Sequence, residues 1–499
     1  MIDALLPTIT LSTLVFVLAG VLVGFIIGAL PGLDITTGVA LLLPVTYVMA
    51  AENALVFFAA VYCAGVFAGS ITAILFNVPG TSESAMTAIE GYPFTRRGEP
   101  GLALGTAILS SGLAGIAASV VLILIAPLLA QLALLIGPSD YAALAILGLA
   151  SVSAALGSSI LKGIAASLIG LFVGTIGIDR ITSTSRFVWT DGLADGIDFV
   201  AAVIGLFGVA SIVMKVIQRD DGAVATKVSL RRLGYPSVAR FFALRLALVR
   251  SWLIGVVLGI LPGVGATSAS FIAYSIQKQL DRRTNPQEEG TLEGIASAEA
   301  ANNSASVGAL IPLLSLGIPG SATSAIILGA FAIHNLQPGP LLFVQRPDLV
   351  DTLLWSVLFA NVMFVVLAFF FVRLLAQMAR LPYPLLATGI LTISITGAIA
   401  VGGLDTLAVM FVFAAIGVVF QALAVPVVPL LLGMILGPII EVSLRRALLM
   451  NGDDFGALIT QPLTAILLLA ALTVLLLPRF FGILQCLRRR TEGNKAGPL

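Results

Sequence analysis

Charge is what this chain has least of. Asp, Glu, Lys and Arg together make up 10% of its 499 residues and apolar residues 59%, against about 25% and roughly 45–50% in an ordinary soluble domain. A water-soluble globule is thereby excluded. Cysteine is nearly absent: Cys63 and Cys486 lie in or beside apolar segments at opposite ends of the chain and match no disulfide or metal spacing. His334 is the single histidine, and its turn-rich surroundings, "AIHNLQPGP", favour a loop role over a proton relay. No H-E-x-x-H, G-x-S-x-G or C-x-x-C motif occurs, which argues against an intramembrane enzyme, and no G-x-x-x-x-G-K-[ST] occurs, which argues against a nucleotide-driven pump. The net charge of +1 points to no nucleic-acid partner. The opening "MIDALLPTITLSTLVF" lacks the basic region of a signal peptide and reads as a retained first helix.

Long apolar runs are what the chain does have. They cover residues 11–30, 54–76, 103–130, 141–178, 199–217, 250–274, 305–333, 352–372, 384–440 and 460–478. A spanning helix takes about 20 residues, so the longest runs hold two or more crossings. The expectation is an all-α polytopic membrane protein of about twelve transmembrane helices. Strands are not expected, because a membrane barrel alternates polar and apolar residues. Residues 214–250 carry eight basic side chains against Asp220 and Asp221, which makes this linker cytoplasmic by the positive-inside bias. Within it, "SVARFFALRLALVRSW" has the spacing of a helix lying along the interface, or of a solvated connector. The chain therefore divides into a first transmembrane repeat (1–214), a basic linker (215–250), a second repeat (251–480) and a basic tail (481–499).

The two halves resemble each other. "GFIIGALPGLDITT" (24–37) and "GVVLGILPGVGATS" (255–268) share six of fourteen residues and pair Thr36 with Thr267 and Thr37 with Ser268. A second pair of motifs, "NVPGTSESA" (77–85) and "GIPGSATSA" (317–325), follows in the same order. Pro lacks a backbone donor and Gly adopts dihedrals that other residues avoid, so Pro-Gly interrupts a helix. In hydrocarbon the freed backbone groups must be satisfied by protein, water or solute. The helix that restarts offers free N–H groups and the positive end of its dipole, a site for an anion. An isolated Pro-Gly is most simply a surface turn; four in repeated register point to a solute cavity of the kind that repeat-built secondary transporters place at the bilayer midplane. The halves are expected to be inverted. Arg96 and Arg97 after the first short motif favour a cytoplasmic loop, whereas "HNLQPGPLLFVQRPDLVD", downstream of the other short motif, sets one Arg against two Asp and favours a periplasmic one.

Candidate solute ligands are Thr36, Thr37, Asn77, Pro79, Gly80, Thr81, Ser82, Ser84, Thr267, Ser268, Asn302, Asn303, Pro319, Gly320, Ser321, Thr323 and Ser324. Asp34, Glu83, Asn77 and Asn303 are candidates for the coupling cation, because oxygen ligands suit a hard cation and buried acids are costly. Asn77 could equally be a helix-end cap. Glu52, Glu90 and Glu299 are placed in loops or at helix ends. The motifs hold no basic residue, so dipoles and cations are the expected counter-charges.

The segments "LPGLDITTGVALLLPVTY" (30–47), "GSITAILFNVPGTSESAMTAIEGYPFTRRGEPGLALG" (69–105), "LPGVGATSASFIAY" (261–274) and "EGIASAEAANNSASVGALIPLLSLGIPGSATSAIILGAF" (293–331) resemble the large membrane subunit of the tripartite tricarboxylate transporters. The resemblance implies a carrier in the bacterial inner membrane, working with a small membrane subunit and a periplasmic solute-binding protein. It implies uptake of a carboxylate such as citrate, driven by a Na+ or H+ gradient and needing no other cofactor. Asp34 and Glu83 stand where small or neutral residues are expected from the resemblance, and Glu90 where Asp is common. The alternative is an exporter or channel acting without a binding protein.

Overall fold

In the computed structural model, residues 10–30, 33–155, 159–179, 181–218, 234–281, 290–378 and 383–476 are described. Nearly all of them are helical, and the only strands among them are the pair Gly177–Ile178 and Ser185–Arg186. Eight helices among these residues are long and apolar enough to cross a membrane, and shorter apolar helices accompany them. The fold is all-α and polytopic, as the apolar runs require. Pro31, Gly32 and Cys486, part of the basic linker, and the basic tail lie outside the described residues.

The chain separates into two units. The first comprises residues 1–134 and 198–419, the second residues 135–197 and 420–499. Each unit is built from two separate segments of the sequence.

The first unit opens with α1 (Leu11–Ala29), where the Thr10 hydroxyl accepts from the Thr13 N–H at 3.1 Å. α2 (Ile35–Leu42) is capped by Asp34 and tightens into a 3-10 turn over Leu43–Val48, where Pro44 cannot continue the α-helical bonding. α3 (Ala51–Phe76) is apolar on every side and buried along its spanning stretch. That is how a helix ringed by other helices reads. It ends at Asn77, which takes a left-handed conformation (φ 58°). After Pro79-Gly80, a 3-10 turn (Ser82–Ser84) leads into α4 (Ala85–Arg96), and α5 (Pro100–Ala133) follows. Beyond the second unit's first segment, α8 (Phe199–Gln218) contains a π-helical stretch over Ile204–Val209. The short α9 (Val238–Phe242) has no buried residue and exposes Val238 and Phe242, as an interface-lying segment would.

The second half of this unit repeats the first. α10 (Arg245–Ile260) and α11 (Gly265–Leu280) flank the Pro262-Gly263 turn. α12 (Leu292–Gly308) and α13 (Leu310–Leu316) end at Gly317, again left-handed (φ 72°), before Pro319-Gly320. α14 (Ala322–Ile333), the short α15 (Pro340–Gln345) and α16 (Pro347–Met378) complete the series. The correspondence reaches single contacts. A Cβ on Gly80 would lie 2.4 Å from the Gly28 carbonyl oxygen, and a Cβ on Gly320 would lie 2.6 Å from that of Gly259. Gly28 and Gly259 are the residues paired by the sequence alignment, so both breaks are seated against the same place in their repeat. α17 (Tyr383–Ala422) closes the unit and is kinked at Gly402-Gly403, where Gly403 has φ 71°.

The second unit contains α6 (Pro138–Ala155) and α7 (Ile160–Val173), with α18 (Val428–Met450) packed on both. The apolar runs 141–178 and 384–440 are thus each divided between two helices. The strand hairpin is tied to α18 by ions: Asp179 pairs with Arg186, and with Arg445 at 2.9 Å, and Arg186 reaches Glu441 at 2.8 Å. The Thr182 hydroxyl, the Ile181 N–H and the two arginines hold the Asp179 carboxyl below the usual carboxylate range.

Candidate functional site

Four helices of the first unit begin within hydrogen-bond reach of one another. They are α2, the 3-10 turn that starts α4, α11 and α14. The Asp34 carboxylate accepts from the Thr36 N–H at 2.9 Å, which caps α2. Its other oxygen accepts from the Ser82 hydroxyl at 3.0 Å and, weakly, from the Ser82 N–H at 3.4 Å. Ser82 in turn lies 3.5 Å from the Thr267 hydroxyl in the first turn of α11. Beneath them Thr36 and Thr323 share a hydrogen bond of 2.9 Å, joining α2 to α14. The Gly263 N–H donates to the Gly320 carbonyl at 3.1 Å, which ties the second long motif to the second short one. Both repeats therefore contribute to one place.

Ser82 and Thr267 are exposed, Asp34 is half-buried, and Thr36 and Thr323 are buried. The site has an open mouth and a hydroxyl floor. The breaks themselves are held by reciprocal caps. At the second, the Ser324 N–H donates to the Ser321 hydroxyl at 3.1 Å and the Ser321 N–H to the Ser324 hydroxyl at 2.8 Å. At the first, the Ser84 hydroxyl donates to the Thr81 carbonyl at 2.8 Å, while the Thr81 N–H approaches the Ser84 oxygen at 3.4 Å. Ser84 and Ser324, fully buried, are engaged in shaping the breaks. Ser321 also meets the Tyr62 hydroxyl of α3 at 3.0 Å.

The repeats differ in charge. Asp34 aligns with Gly265 and Glu83 with Thr323, so both acids belong to the first half. Ser82 touches both carboxylates, at 3.0 Å to Asp34 and 3.4 Å to Glu83, and its single proton favours the nearer. Among the described residues no Lys or Arg is bonded to either acid. The first-half side is a cluster of oxygens with excess negative charge, suited to a hard cation. The second-half side offers helix N-termini and hydroxyls without an acid, suited to an anion.

Not every candidate joins this site. Asn77 is exposed and serves as the left-handed cap of α3, in the conformation Asn tolerates best after Gly. Thr37 is buried and Ser268 half-buried on the helices that start at the site, and Pro79 and Pro319 shape the two breaks. Asn302 and Asn303 sit in the middle of α12, each about 1% exposed. The Asn303 amide donates to the Cys63 carbonyl at 3.4 Å, leaving its oxygen unpartnered, and neither amide atom of Asn302 has a partner. His334 caps the end of α14, in keeping with a loop role.

The acids assigned to loops or helix ends divide. Glu52 does lie in the first turn of α3. Glu90 is buried within α4 and accepts from Tyr274 at 2.8 Å, Lys278 at 3.0 Å and the Thr291 N–H at 2.6 Å. Glu299 is fully buried in mid-α12. Sequence misplaces both because their neighbours are small and polar and the polar stretch 281–294 stands just upstream of Glu299, so local hydropathy gives no sign of burial. The signal that could have found Glu299 is the crowding of Ala, Ser, Asn and Gly across residues 294–308, a composition that lets helices approach on all sides.

Comparison with known proteins fits this architecture. Residues 14–432 match the family model described as Tripartite tricarboxylate transporter TctA family. A protein of Agrobacterium vitis, "Uncharacterized 52.8 kDa protein in TAR-I ttuC' 3'region", is 36% identical over 477 residues, covering 94% of each chain. A second from the same organism, "Uncharacterized protein in TAR-II ttuC' 3'region", is 36% identical over 218 residues, which is 43% of this chain and 89% of that one. No solved structure matches significantly.

Proposed function

Because the chain belongs to the tripartite tricarboxylate transporter TctA family, we propose that it is the large membrane subunit of a binding-protein-dependent secondary carrier, which imports a carboxylate across the bacterial inner membrane on a cation gradient. The observation that carries this reading is the convergence of four helix starts, two from each repeat, on Ser82, Asp34, Thr267, Thr36 and Thr323. Aligned N-terminal dipoles attract anions, and no basic side chain is needed to hold one.

In this reading the charge asymmetry divides the labour. A substrate carboxylate binds on the second-half side, against Ser321, Thr323 and the start of α14. Na+ or H+ binds on the first-half side, between Asp34 and Glu83, and offsets the substrate's charge. Without the cation, the two acids repel the anion across the narrow site; with it, both bind together. A periplasmic solute-binding protein delivers the substrate, a small membrane subunit completes the carrier, and a rigid movement of the repeats exposes the site inward.

The test is initial-rate uptake in right-side-out vesicles carrying all three subunits, with the substrate first identified by a thermal-shift screen of carboxylates on the cognate binding protein. Asp34→Asn and Glu83→Gln should raise half-saturation for the cation. Ser321→Ala and Thr323→Ala should raise it for the substrate. Each lost ligand or hydrogen bond is worth about 0.5–3 kcal/mol, which is roughly 2- to 150-fold. Unchanged values for both solutes in all four variants would remove the site from the solute path.

A further inference from the structure

We propose that Glu299 is a second, separate ion site in this carrier: a carboxyl that binds and releases a proton inside a shell of three hydroxyls. The carboxylate is completely buried. Oε1 accepts from Ser70 of α3 at 2.5 Å and from Thr87 of α4, and Oε2 accepts from Ser111 of α5 at 2.6 Å. Three helices thus turn a hydroxyl onto one acid of a fourth. Among the described residues no cation is bonded to it.

A buried carboxylate without a counter-charge is costly, and the ordinary remedy is to take up a proton. A shell of backbone amides would fix the ionised form, since an N–H only donates. Hydroxyls are different: each rotates to donate or to accept. With Glu299 ionised, all three donate. With Glu299 protonated, one turns to accept the new O–H and the other two still donate. The heavy atoms need not move, so both charge states fit the same cavity. A metal cation fits it less well. Ligands gathered around a hard cation at about 2.3–2.6 Å from the ion stand further apart than oxygens in direct O–H···O contact. Here the hydroxyl oxygens already touch the carboxylate.

The titratable groups on the packed helices do not supply a partner. α5 has none. On α4, Glu90 is engaged with Lys278 and Tyr274 of α11, and Tyr92 and Arg96 lie beyond it. α3 brings Tyr62, hydrogen-bonded to Ser321, and the Cys63 thiol, beside Asn361, with Glu52 at its start. Glu83 stands before α4. On α10, Arg250 is hydrogen-bonded to Gln277 of α11, and Arg245 is exposed.

A polar stripe runs from Glu299 towards the second break. Asn302 and Asn303, three and four residues on, share a stripe of α12 with Glu299. They hold unpaired amide atoms. One turn further Ser306 lies beside the Tyr62 phenol, which bonds Ser321 at the second break. Protonation at Glu299 is linked to the first break through Thr87, on the helix that restarts there. A proton adds to a carboxylate oxygen when the site faces the periplasm and leaves when it faces the cytoplasm; no other bond changes. The coupling role rests on the transporter reading above, whereas proton binding does not.

The experiment uses the full chain in native membrane vesicles and, purified, in detergent. Dicyclohexylcarbodiimide, which attacks protonated carboxyls in apolar surroundings, is applied from about pH 5 to about pH 9, and labelled peptides are mapped by mass spectrometry. The Glu299 peptide should be labelled at low pH and lose label by about tenfold per pH unit once the carboxyl ionises. Added Na+ at fixed pH should change nothing, and Glu299→Gln should abolish that label alone. Infrared difference spectra between the pH limits should carry a protonated-carboxyl band that Glu299→Gln removes. If that variant does not accumulate, peptide mapping of the unaltered protein decides by itself. Protection by Na+, or absence of both label and band, overturns the proposal. Labelling as expected in a protein that moves no carboxylate would leave the proton site standing and reject the transporter reading; uptake without labelling would do the reverse.

Discussion

Gly80 and Gly320 show how far one hydrogen atom decides the site. Each lacks the Cβ that would come within 2.4–2.6 Å of a carbonyl oxygen on the first helix of its repeat. At Gly80 the missing atom would also meet the Gly69 Cα at 2.7 Å and the Thr72 hydroxyl at 2.8 Å. These neighbours are mostly backbone, which cannot step aside, so the glycine is needed for close packing of the break against the helix. Gly80→Ala and Gly320→Ala should therefore lower thermal stability as well as uptake, by about 1–3 kcal/mol as overpacked cores do. Gly389, around which a Cβ meets nothing within 4 Å, is the control: Gly389→Ala should be neutral or slightly stabilising, since Ala favours a helix by up to about 1 kcal/mol over Gly. Thermal unfolding of the purified variants measures both. Wild-type stability in Gly80→Ala and Gly320→Ala would mean that the breaks are not seated as described.

The helices that meet at the site owe their positions to ties between the repeats, and α4 has the strongest. The Glu90 carboxylate, about 1% exposed, is held by Tyr274 and Lys278 of α11 and by both the N–H and the hydroxyl of Thr291. Lys278 is half-exposed, so its share is screened, as in surface pairs worth about 0–1 kcal/mol. Glu90→Ala, by contrast, removes a buried acceptor shared by the half-buried Tyr274 hydroxyl and the N–H and hydroxyl of the half-buried Thr291, at about 1–3 kcal/mol in all. Glu90→Ala should thus destabilise clearly more than Lys278→Ala in the same unfolding assay; equal effects would show the tie to be only a surface ion pair. How much of this the sequence disclosed depended on where the information sits. The breaks were legible because Pro79-Gly80 and Pro319-Gly320 interrupt apolar runs and are followed by hydroxyls three residues apart, which is local chemistry. The pairing of Thr36 with Thr323 was not, since it joins residues 287 positions apart through packing that no local pattern records. Glu90 and Glu299 were missed for the same reason: their partners come from other helices. The kink at Gly402-Gly403 lies inside a long apolar run, two residues before Asp405, and had little besides its glycines to announce it.

At the scale of the molecule the question is how a carrier opens to two sides, and the repeat bears on it. Within the first unit, α1 to α5 correspond in order to α10, α11, α12 with α13, α14 and α16, and both breaks contribute to one site. If the two halves are inverted, the loop after α4 and the loop after α14 face opposite sides of the membrane, and exchanging the conformations of the halves would exchange the side to which the site opens. Arg96 and Arg97 at the end of α4 favour a cytoplasmic position, whereas the stretch from His334 to Asp351 carries Arg346 against Asp348 and Asp351. Arg97 and Gln345 are both exposed, which makes them suitable for labelling. In a Cys486→Ser background, where the remaining Cys63 is buried, Arg97→Cys and Gln345→Cys should react with a membrane-impermeant maleimide from opposite sides. Right-side-out vesicles should label position 345 and spare position 97; inverted vesicles should do the opposite. Labelling of both from the same side would show parallel repeats, and the rocking exchange of two inverted halves would then have to give way to a different opening movement around the same four helix starts.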